Sequence, residues 1–476
     1  MVAAPALGAK VRALRRRRSL TQAQLADRLG ISASYLNLIE HGRRPLPAPL
    51  LIRLAEVLEL DLKSLSAEND ARSAADLLEV FGDPLFDAHD LTAGEVREMA
   101  QASPGVARAV LALYRAFRGA REAASTLASR ISEEGVTAHD SRLPTEEVSD
   151  LLQRHLNFFP ELEEGAERLW RDARLGAGNL YEDLVAWLER EHGVRVRVQH
   201  AAAMGRAVRR YDRERKVLAL SEVLRRGSRN FQLAYQAGLL TQQAALDRIA
   251  ADPQLTSPEA RALARVGLAN YFAAAVLMPY GPFLEAAEAE RYDAELLGHR
   301  FRASFEQTCH RLTTLRRPGA EGVPFHMVRI DIAGNISKHF SASGLRFPRF
   351  GGLCPRWALF GCFMTPGMVR TQLSQMPDGT RHFWMARTVR RESGGFHAPR
   401  TVHALALGCE VSYAKRLVYA DGVDLESPGA VVPVGVTCRL CERMDCEQRA
   451  FPPLQHPLRV QEDVRGVAFY APVESD

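Results

Sequence analysis

Val11-Arg-Ala-Leu-Arg-Arg-Arg-Arg-Ser-Leu-Thr-Gln-Ala-Gln-Leu-Ala-Asp-Arg-Leu-Gly-Ile-Ser-Ala-Ser-Tyr-Leu-Asn-Leu-Ile-Glu-His-Gly-Arg-Arg-Pro45 carries the pattern of two short helices joined by a tight turn. Thr21 is placed to cap the first helix, with Gln24 three residues on reaching back as in a capping box. Leu25, Ala26 and Leu29 share one face, and the small Ala26 lets a second helix cross closely. Gly30 ends the first helix, Ile31 staples the turn, and Ser32 caps the second. Leu36 and Ile39 then point inward and leave Ser32, Ala33, Ser34, Tyr35 and Asn37 facing out. In a helix-turn-helix these outward side chains enter the major groove, where Asn37 suits adenine and the hydroxyls suit bases or phosphates. Gln22 belongs to the same DNA-facing set. Arg15 and Arg18, which bound a run of four arginines, and Arg43 with Arg44 would neutralise phosphates and supply affinity instead of specificity. The alternative is a small helical bundle with a solvated basic face, which leaves the agreement of cap, glycine, core spacing and flanking arginines unexplained.

The segment resembles the Cro/C1-type (XRE) helix-turn-helix family, down to the run Tyr35-Leu-Asn-Leu-Ile-Glu40 followed by Gly42 and Arg44. Pro47–Leu58 and Asp61–Leu65 would complete its five helices, giving a reader over residues 7–66.

At 476 residues the chain is too long for one core, and about 150 residues per domain suggests three. With 62 basic and 57 acidic residues it is only mildly positive, so its basic character is expected to be local to the N-terminus. The apolar Met1-Val-Ala-Ala-Pro5 precedes the arginines instead of following a positive segment, which is not a secretory pattern. No apolar run reaches the length of a membrane span. Seven cysteines do not suggest a disulfide scaffold, and a cytoplasmic protein without a membrane partner is expected.

Residues 67–148 are rich in Ala, Glu, Arg and Leu and read as helices, a linker or dimerisation region. The stretch from Val106 to Ile131 lines up Val110, Leu113, Tyr114, Phe117 and Leu127 as a packing or dimerisation stripe. The polar segment from Glu133 to Pro144 reads as a linker. Residues 149–320 follow with a helix at Leu180–Glu191, strands at Val194–Val198 and Lys216–Leu220, and a helix beginning near Ser228. Arg229-Asn-Phe-Gln-Leu-Ala-Tyr-Gln-Ala-Gly-Leu-Leu240 resembles the motif helix of ImmA/IrrE-type metallopeptidase domains. That family carries His-Glu-x-x-His there, two imidazoles one turn apart and a carboxylate beside metal-bound water. Here the five positions are Gln232, Leu233, Ala234, Tyr235 and Gln236. Glutamine is a weak, neutral zinc ligand and Leu233 has no proton to exchange, so no catalytic residue is assigned and the domain is read as a degenerate scaffold.

Residues 321–476 are richer in Gly, Pro, Val and aromatics, with strand-like runs at Phe325–Asp331, His382–Val389 and Val402–Leu407. Six of the seven cysteines lie here. Cys438, Cys441 and Cys446 fall within nine residues, and a Cys-x-x-Cys turn can present two thiolates to one metal. The spacing matches neither a zinc ribbon nor a ferredoxin run, and Cys409 is the expected fourth ligand, ahead of Cys354 and Cys362. A thiol/disulfide switch and purely structural clustering are the other readings. His382, His397 and His403 read as structural histidines. Arg346, Arg349 and Arg356 sit among glycines, prolines and aromatics and could meet anionic ligand phosphates, or be surface ion pairs.

Phe347-Pro-Arg-Phe-Gly-Gly-Leu-Cys-Pro-Arg-Trp357, Leu417-Val-Tyr-Ala-Asp-Gly422 and the segment from Cys438 to Pro453 resemble the short-chain fatty-acyl transcriptional regulators of propionate and acetate metabolism. The resemblance implies a multidomain protein: an all-α helix-turn-helix domain, an α-rich degenerate metallopeptidase-like domain and an α+β sensor domain. It also implies a short-chain acyl-CoA effector such as propionyl-CoA or acetyl-CoA. A [4Fe-4S] iron–sulfur cluster on the C-terminal cysteines is implied before zinc. A homodimer on palindromic double-stranded DNA is the expected working form, and no enzyme activity is expected. The competing readings are a redox or iron–sulfur sensing factor, and a peptidase that cleaves a regulatory partner.

Overall fold

The computed structural model describes residues 11–12, 15, 18, 20–41, 43–44, 46–57, 67–86, 91–130, 144–342, 345, 347–348, 353–391, 397, 400–438 and 441–451. The chain divides into two compact units, Met1–Asp140 with Arg449–Asp476, and Ser141–Gln448.

In the first unit α1 (Gln22–Leu29) starts at the Thr21 cap, whose hydroxyl accepts the Gln24 amide while Gln24 Oε1 accepts the Thr21 amide at 2.8 Å. Gly30 closes it at φ 66°, a left-handed turn that glycine adopts without a Cβ penalty. Ser32 caps α2 (Ala33–Glu40), and α3 (Ala48–Val57) follows. Val11, Leu25, Ala26, Leu29, Leu36 and Leu54 close the core between them. The expected last helix at Asp61–Leu65 and the linker up to residue 143 lie outside the described residues.

Further along are α4 (Ala67–Phe81), α5 (Ala93–Ala102) and the 27-residue α6 (Pro104–Arg130). The packed face of α6 is offset from the expected stripe. Ala107, Leu111 and Tyr114 are buried, and α6 packs on α4 and α5. Leu113 is 72% exposed, with Val106 and Phe117 also outward. The reason is one of register: Tyr114 donates to Asp83 Oδ2 at 2.6 Å and turns its own row of the helix inward.

The second unit opens with α7 (Pro144–Arg154), α8 (Pro160–Asp172) and α9 (Leu180–His192). A small sheet of β1 (Arg195–Gln199), β2 (Arg209–Asp212) and β3 (Val217–Ser221) comes next, in the order β1-β3-β2, with β1 and β3 parallel. Then come α10 (Arg226–Thr241), α11 (Gln243–Ala250), α12 (Pro258–Leu277), α13 (Tyr280–Ala289), α14 (Ala294–Arg300) and α15 (Phe305–Leu312). Helix α12 is the centre of this bundle, apolar on nearly every side and packed on α8 and α10. Gly238 of α10 permits that approach, because a Cβ there would stand 2.6 Å from the Phe272 ring. A buried ion pair ties the helices together. Arg311 on α15 donates through Nη2 to Glu163 Oε2 on α8 at 2.9 Å and through Nε to the Met278 carbonyl, while Tyr271 of α12 donates to Glu163 Oε1.

The larger sheet contains β4 (His326–Ile330), β5 (Ile336–Phe340), β6 (Arg370–Gln375), β7 (Arg381–Arg391), β8 (Thr401–Glu410) and β9 (Val431–Pro433). Its order is β9-β6-β7-β8-β4-β5, antiparallel except for β9 beside β6. The strands expected at 325–331, 382–389 and 402–407 form β4, β7 and β8. Alternation along them gives the sheet two buried faces. Met327, Phe383, Met385, Leu405, Leu407 and Cys409 join the core of the helical bundle, so packing runs on across residue 320. Val328, Ile330, Trp384, Ala386, Ala404 and Ala406 form a second core with Leu353, Cys354, Trp357 and Cys362. Gly408 makes room for the Trp384 ring, which would lie 2.4 Å from an added Cβ. No single helix among the described residues is long and apolar enough to cross a membrane.

Candidate DNA-reading, ligand and cysteine sites

The outward row of α2 is as expected for Ser32, Ala33, Ser34 and Asn37, which are exposed, while Tyr35 is half-buried. Arg44 lies 5.5 Å from the Tyr35 ring centroid. Gln22 bridges the two helices: its amide nitrogen donates to Asn37 Oδ1 at 3.2 Å and to Glu40 Oε2 at 2.7 Å. Arg15 departs from its expected phosphate role. Its guanidinium is buried and holds Glu40 in a fork, Nε to Oε1 at 2.6 Å and Nη2 to Oε2 at 3.0 Å, with Nη1 on the Leu20 carbonyl. A side chain committed on three nitrogens inside the domain is a brace, not a DNA contact. Burial pushes the Glu40 carboxyl up, but hydrogen bonds from Arg15 and Gln22 outweigh it and hold the carboxyl below its ordinary range. Arg18, Arg43 and Arg44 are exposed. Sequence reasoning missed Glu40, and the signal was an acidic residue completing the Leu36, Ile39 inward face.

The motif helix α10 points Leu233, Ala234, Tyr235 and Gln236 into the protein. Gln236 Oε1 accepts Arg209 Nη1 at 2.6 Å, and the Arg209 guanidinium stacks 4.3 Å from the Tyr235 ring centroid. These residues border a cavity of about 390 Å³ lined by Arg209, Tyr211, Arg213, Gln236, Leu239, Leu240 and Gln243. No His, Cys, Asp or Glu stands among those lining residues. The donor set does not fit zinc, and a cation already occupies one wall, so no hydrolytic step is derived. What the cavity offers is positive charge, amides and a phenol against two leucines, a combination suited to an anionic ligand with an apolar portion.

The strand alternation separates the cysteines. Cys409 faces the helical core, on the opposite side of the sheet from Cys354, and burial pushes its thiol up to about 12. The expected grouping of Cys409 with Cys438, Cys441 and Cys446 is therefore not what the fold assembles. Cys354 instead lies near Cys438 and Cys441. Burial raises its thiol, as do the neighbouring Cys438 and Cys441, against backbone amide hydrogen bonds from Arg356 and Gly435 that favour the thiolate. Gly435 leaves space for Cys441, whose Sγ would be 2.8 Å from an added Cβ. Cys446 is half-buried five residues beyond Cys441. Among the described residues no three Cys, His, Asp or Glu side chains are placed to hold a single metal ion. A Cys354 thiol with amide donors beside it and Cys438 and Cys441 near it does fit the chemistry of an iron–sulfur cluster, whose sulfur ligands surround a larger body. Cys354, Cys438 and Cys441 are the residues that would hold it.

Arg356 is half-buried, and its carbonyl accepts Gln372 Nε2 at 2.8 Å. Arg346 and Arg349 lie outside the described residues. His382 and His403 are strand residues of β7 and β8, and His397 is exposed.

A capped two-helix reader, a peptidase-like scaffold stripped of its metal donors and a cysteine-bearing sheet define a helix-turn-helix transcriptional regulator. Comparison with known proteins gives the same order of parts. Residues 6–67 match a helix-turn-helix domain family, 189–313 the IrrE N-terminal-like domain and 314–470 the short-chain fatty acyl coenzyme A regulator C-terminal domain. The chain is 39% identical to the HTH-type transcriptional regulator PrpR of Mycobacterium tuberculosis, covering 98% of this chain and 96% of that protein. It is 40% identical to the regulator RamB of the same species, covering 98% of each. It is also 40% identical to a propionyl-CoA carboxylase regulator of Cereibacter sphaeroides, again over 98% of each. A solved Mycobacterium tuberculosis transcriptional regulator superposes with a TM-score of 0.67 at 42% identity, covering 70% of this chain and 100% of that one. The chain belongs to the short-chain fatty acyl-coenzyme A regulator family.

Proposed function

We propose that this regulator senses a short-chain acyl-CoA, propionyl-CoA or acetyl-CoA, and adjusts transcription of genes for short-chain fatty acid metabolism. The observation that carries the reading is the exchange at the motif helix, where Arg209 against Gln236 and Tyr235 stands beside a cavity in place of metal donors. A cationic wall suits CoA phosphates and the Leu239, Leu240 wall suits a short acyl chain. Arg356, with Arg346 and Arg349, forms the second candidate ligand set. The effector acts by binding two conformations of the regulator with different affinity. The working form is a cytoplasmic homodimer whose two α2 helices read a palindromic duplex. An iron–sulfur cluster on Cys354, Cys438 and Cys441 would add an iron- or redox-dependent input, with Cys446 the further candidate ligand from the sequence.

Calorimetric titration of anaerobically purified full-length protein with propionyl-CoA, with free CoA as control, tests the effector. Saturable binding that depends on the acyl group is expected. Absence of binding by either compound would sink the acyl-CoA reading and leave the cysteine group as the signal input.

A further inference from the structure

The positive charge of the chain is not local to its N-terminus. Residues 195–229 hold eleven Arg and Lys against three Asp and Glu, so the rest of the chain is net acidic although the whole is +5. Most of this excess sits on or beside the small sheet. In the order β1-β3-β2, Arg197 pairs with Ala219 and Ala219 pairs with Arg210, which puts both arginines on one face in a single row. Arg195, two residues along β1, projects from the same face, in a row that ends at Asp212 of β2, a carboxylate that has Arg215 beside it. Arg195, Arg197 and Arg210 are exposed, as is Arg206 just before β2. None of the four side chains makes a hydrogen bond or ion pair within the described residues, unlike that of Arg226, which is held by Glu182, or that of Arg215, which lies near Asp212.

We infer that this face binds the phosphate backbone of double-stranded DNA, a second contact beyond the helix-turn-helix. Its shape selects the partner. Two strand spacings of about 4.8 Å separate Arg197 from Arg210, and about 6.8 Å separates Arg195 from Arg197, so the charges form a flat grid and not a pocket. A flat grid of cations meets a repeating polyanion, whereas one small anion needs convergent groups. Side chains without protein partners are ready to replace the counterions around a duplex. The contact adds affinity and salt dependence and carries no sequence information. It does not depend on the acyl-CoA reading, and Arg209 and Arg213 at the cavity are not part of it.

The test is the salt dependence of full-length protein binding to a fluorescein-labelled 40-base-pair duplex, with Arg195→Ala, Arg197→Ala and Arg210→Ala combined. Removing one cation from a phosphate lowers the slope of log affinity against log salt by about 0.9, so a reduction of about 1 to 3 is expected. The triple Arg→Lys variant keeps the charges and should keep most of the slope. An alanine variant that melts like the parent and retains its full slope would overturn the inference, leaving a merely solvated face. The same holds if it loses propionyl-CoA or free CoA binding while the duplex slope stays unchanged, because the face would then serve a nucleotide ligand.

Discussion

Arg15 grips Glu40 across the reader, Nε to Oε1 at 2.6 Å, and both side chains are withdrawn from water. Glu40 in turn holds Gln22, and Gln22 holds Asn37, so a buried ion pair sets the position of a groove-facing amide. Arg15→Ala leaves Glu40 buried without its cation. A loss of roughly 3–5 kcal/mol is expected for such a broken pair, with DNA binding abolished through unfolding of the reader. Arg44→Ala should leave the melting profile unchanged and lower the salt slope by about 0.9. Thermal denaturation beside binding titrations separates the two outcomes.

Glu163 and Arg311 form the corresponding clamp of the helical bundle. Both are fully buried, and Tyr271, Thr314 and the Met278 carbonyl complete their hydrogen bonds. Glu163→Ala should cost about 3–5 kcal/mol, and replacing the pair together with apolar residues should cost less. Denaturant titration of the single and double variants measures the difference.

Acid should weaken the second unit before its carboxylates titrate. Burial holds the His310 imidazole down to about 4 and that of His326 down to about 3, the latter with help from His382. Both are neutral in the fold, while the unfolded chain takes up protons near pH 6.5. Their stabilisation is complete above that pH and is lost as pH falls from about 6.5 toward 4, by up to ~1.4 kcal/mol per pH unit for each group. Melting at pH 7.5 and pH 5 should show the loss, and His326→Gln should reduce it. Equal stability at both pH values would contradict the burial argument.

Cys354→Ser and Cys409→Ser should behave differently because the sheet lies between them. Anaerobically purified Cys354→Ser is expected to lose bound iron and visible absorption, and Cys409→Ser to retain both. Iron content retained by Cys354→Ser would remove it from the ligand set.

Much of this architecture was legible in the chain. Thr21, Gln24, Gly30 and Ser32 are local signals, and local signals survive into the fold. The loss of metal chemistry was equally plain at Gln232, Leu233 and Gln236, since residue type alone decides it. What could not be read is pairing across distance. Arg15 looks like any arginine in its run until Glu40, 25 residues on, is brought beside it. Cys354 is far from Cys438 in sequence, and only the fold shows that it, and not Cys409, lies on the side of the sheet with Cys438 and Cys441 near it. The cavity escaped notice because its cation, Arg209, comes from a strand well ahead of the motif helix.

The proposed function requires that an acyl-CoA bias DNA reading by this chain. Its most direct test is the affinity of full-length protein for duplex DNA from its own regulated promoter, with and without saturating propionyl-CoA. A coupling of about 5- to 150-fold in either direction is predicted, and Arg209→Met should abolish it while leaving effector-free binding intact. Equal affinity in the two conditions, with propionyl-CoA shown to be bound, would contradict it.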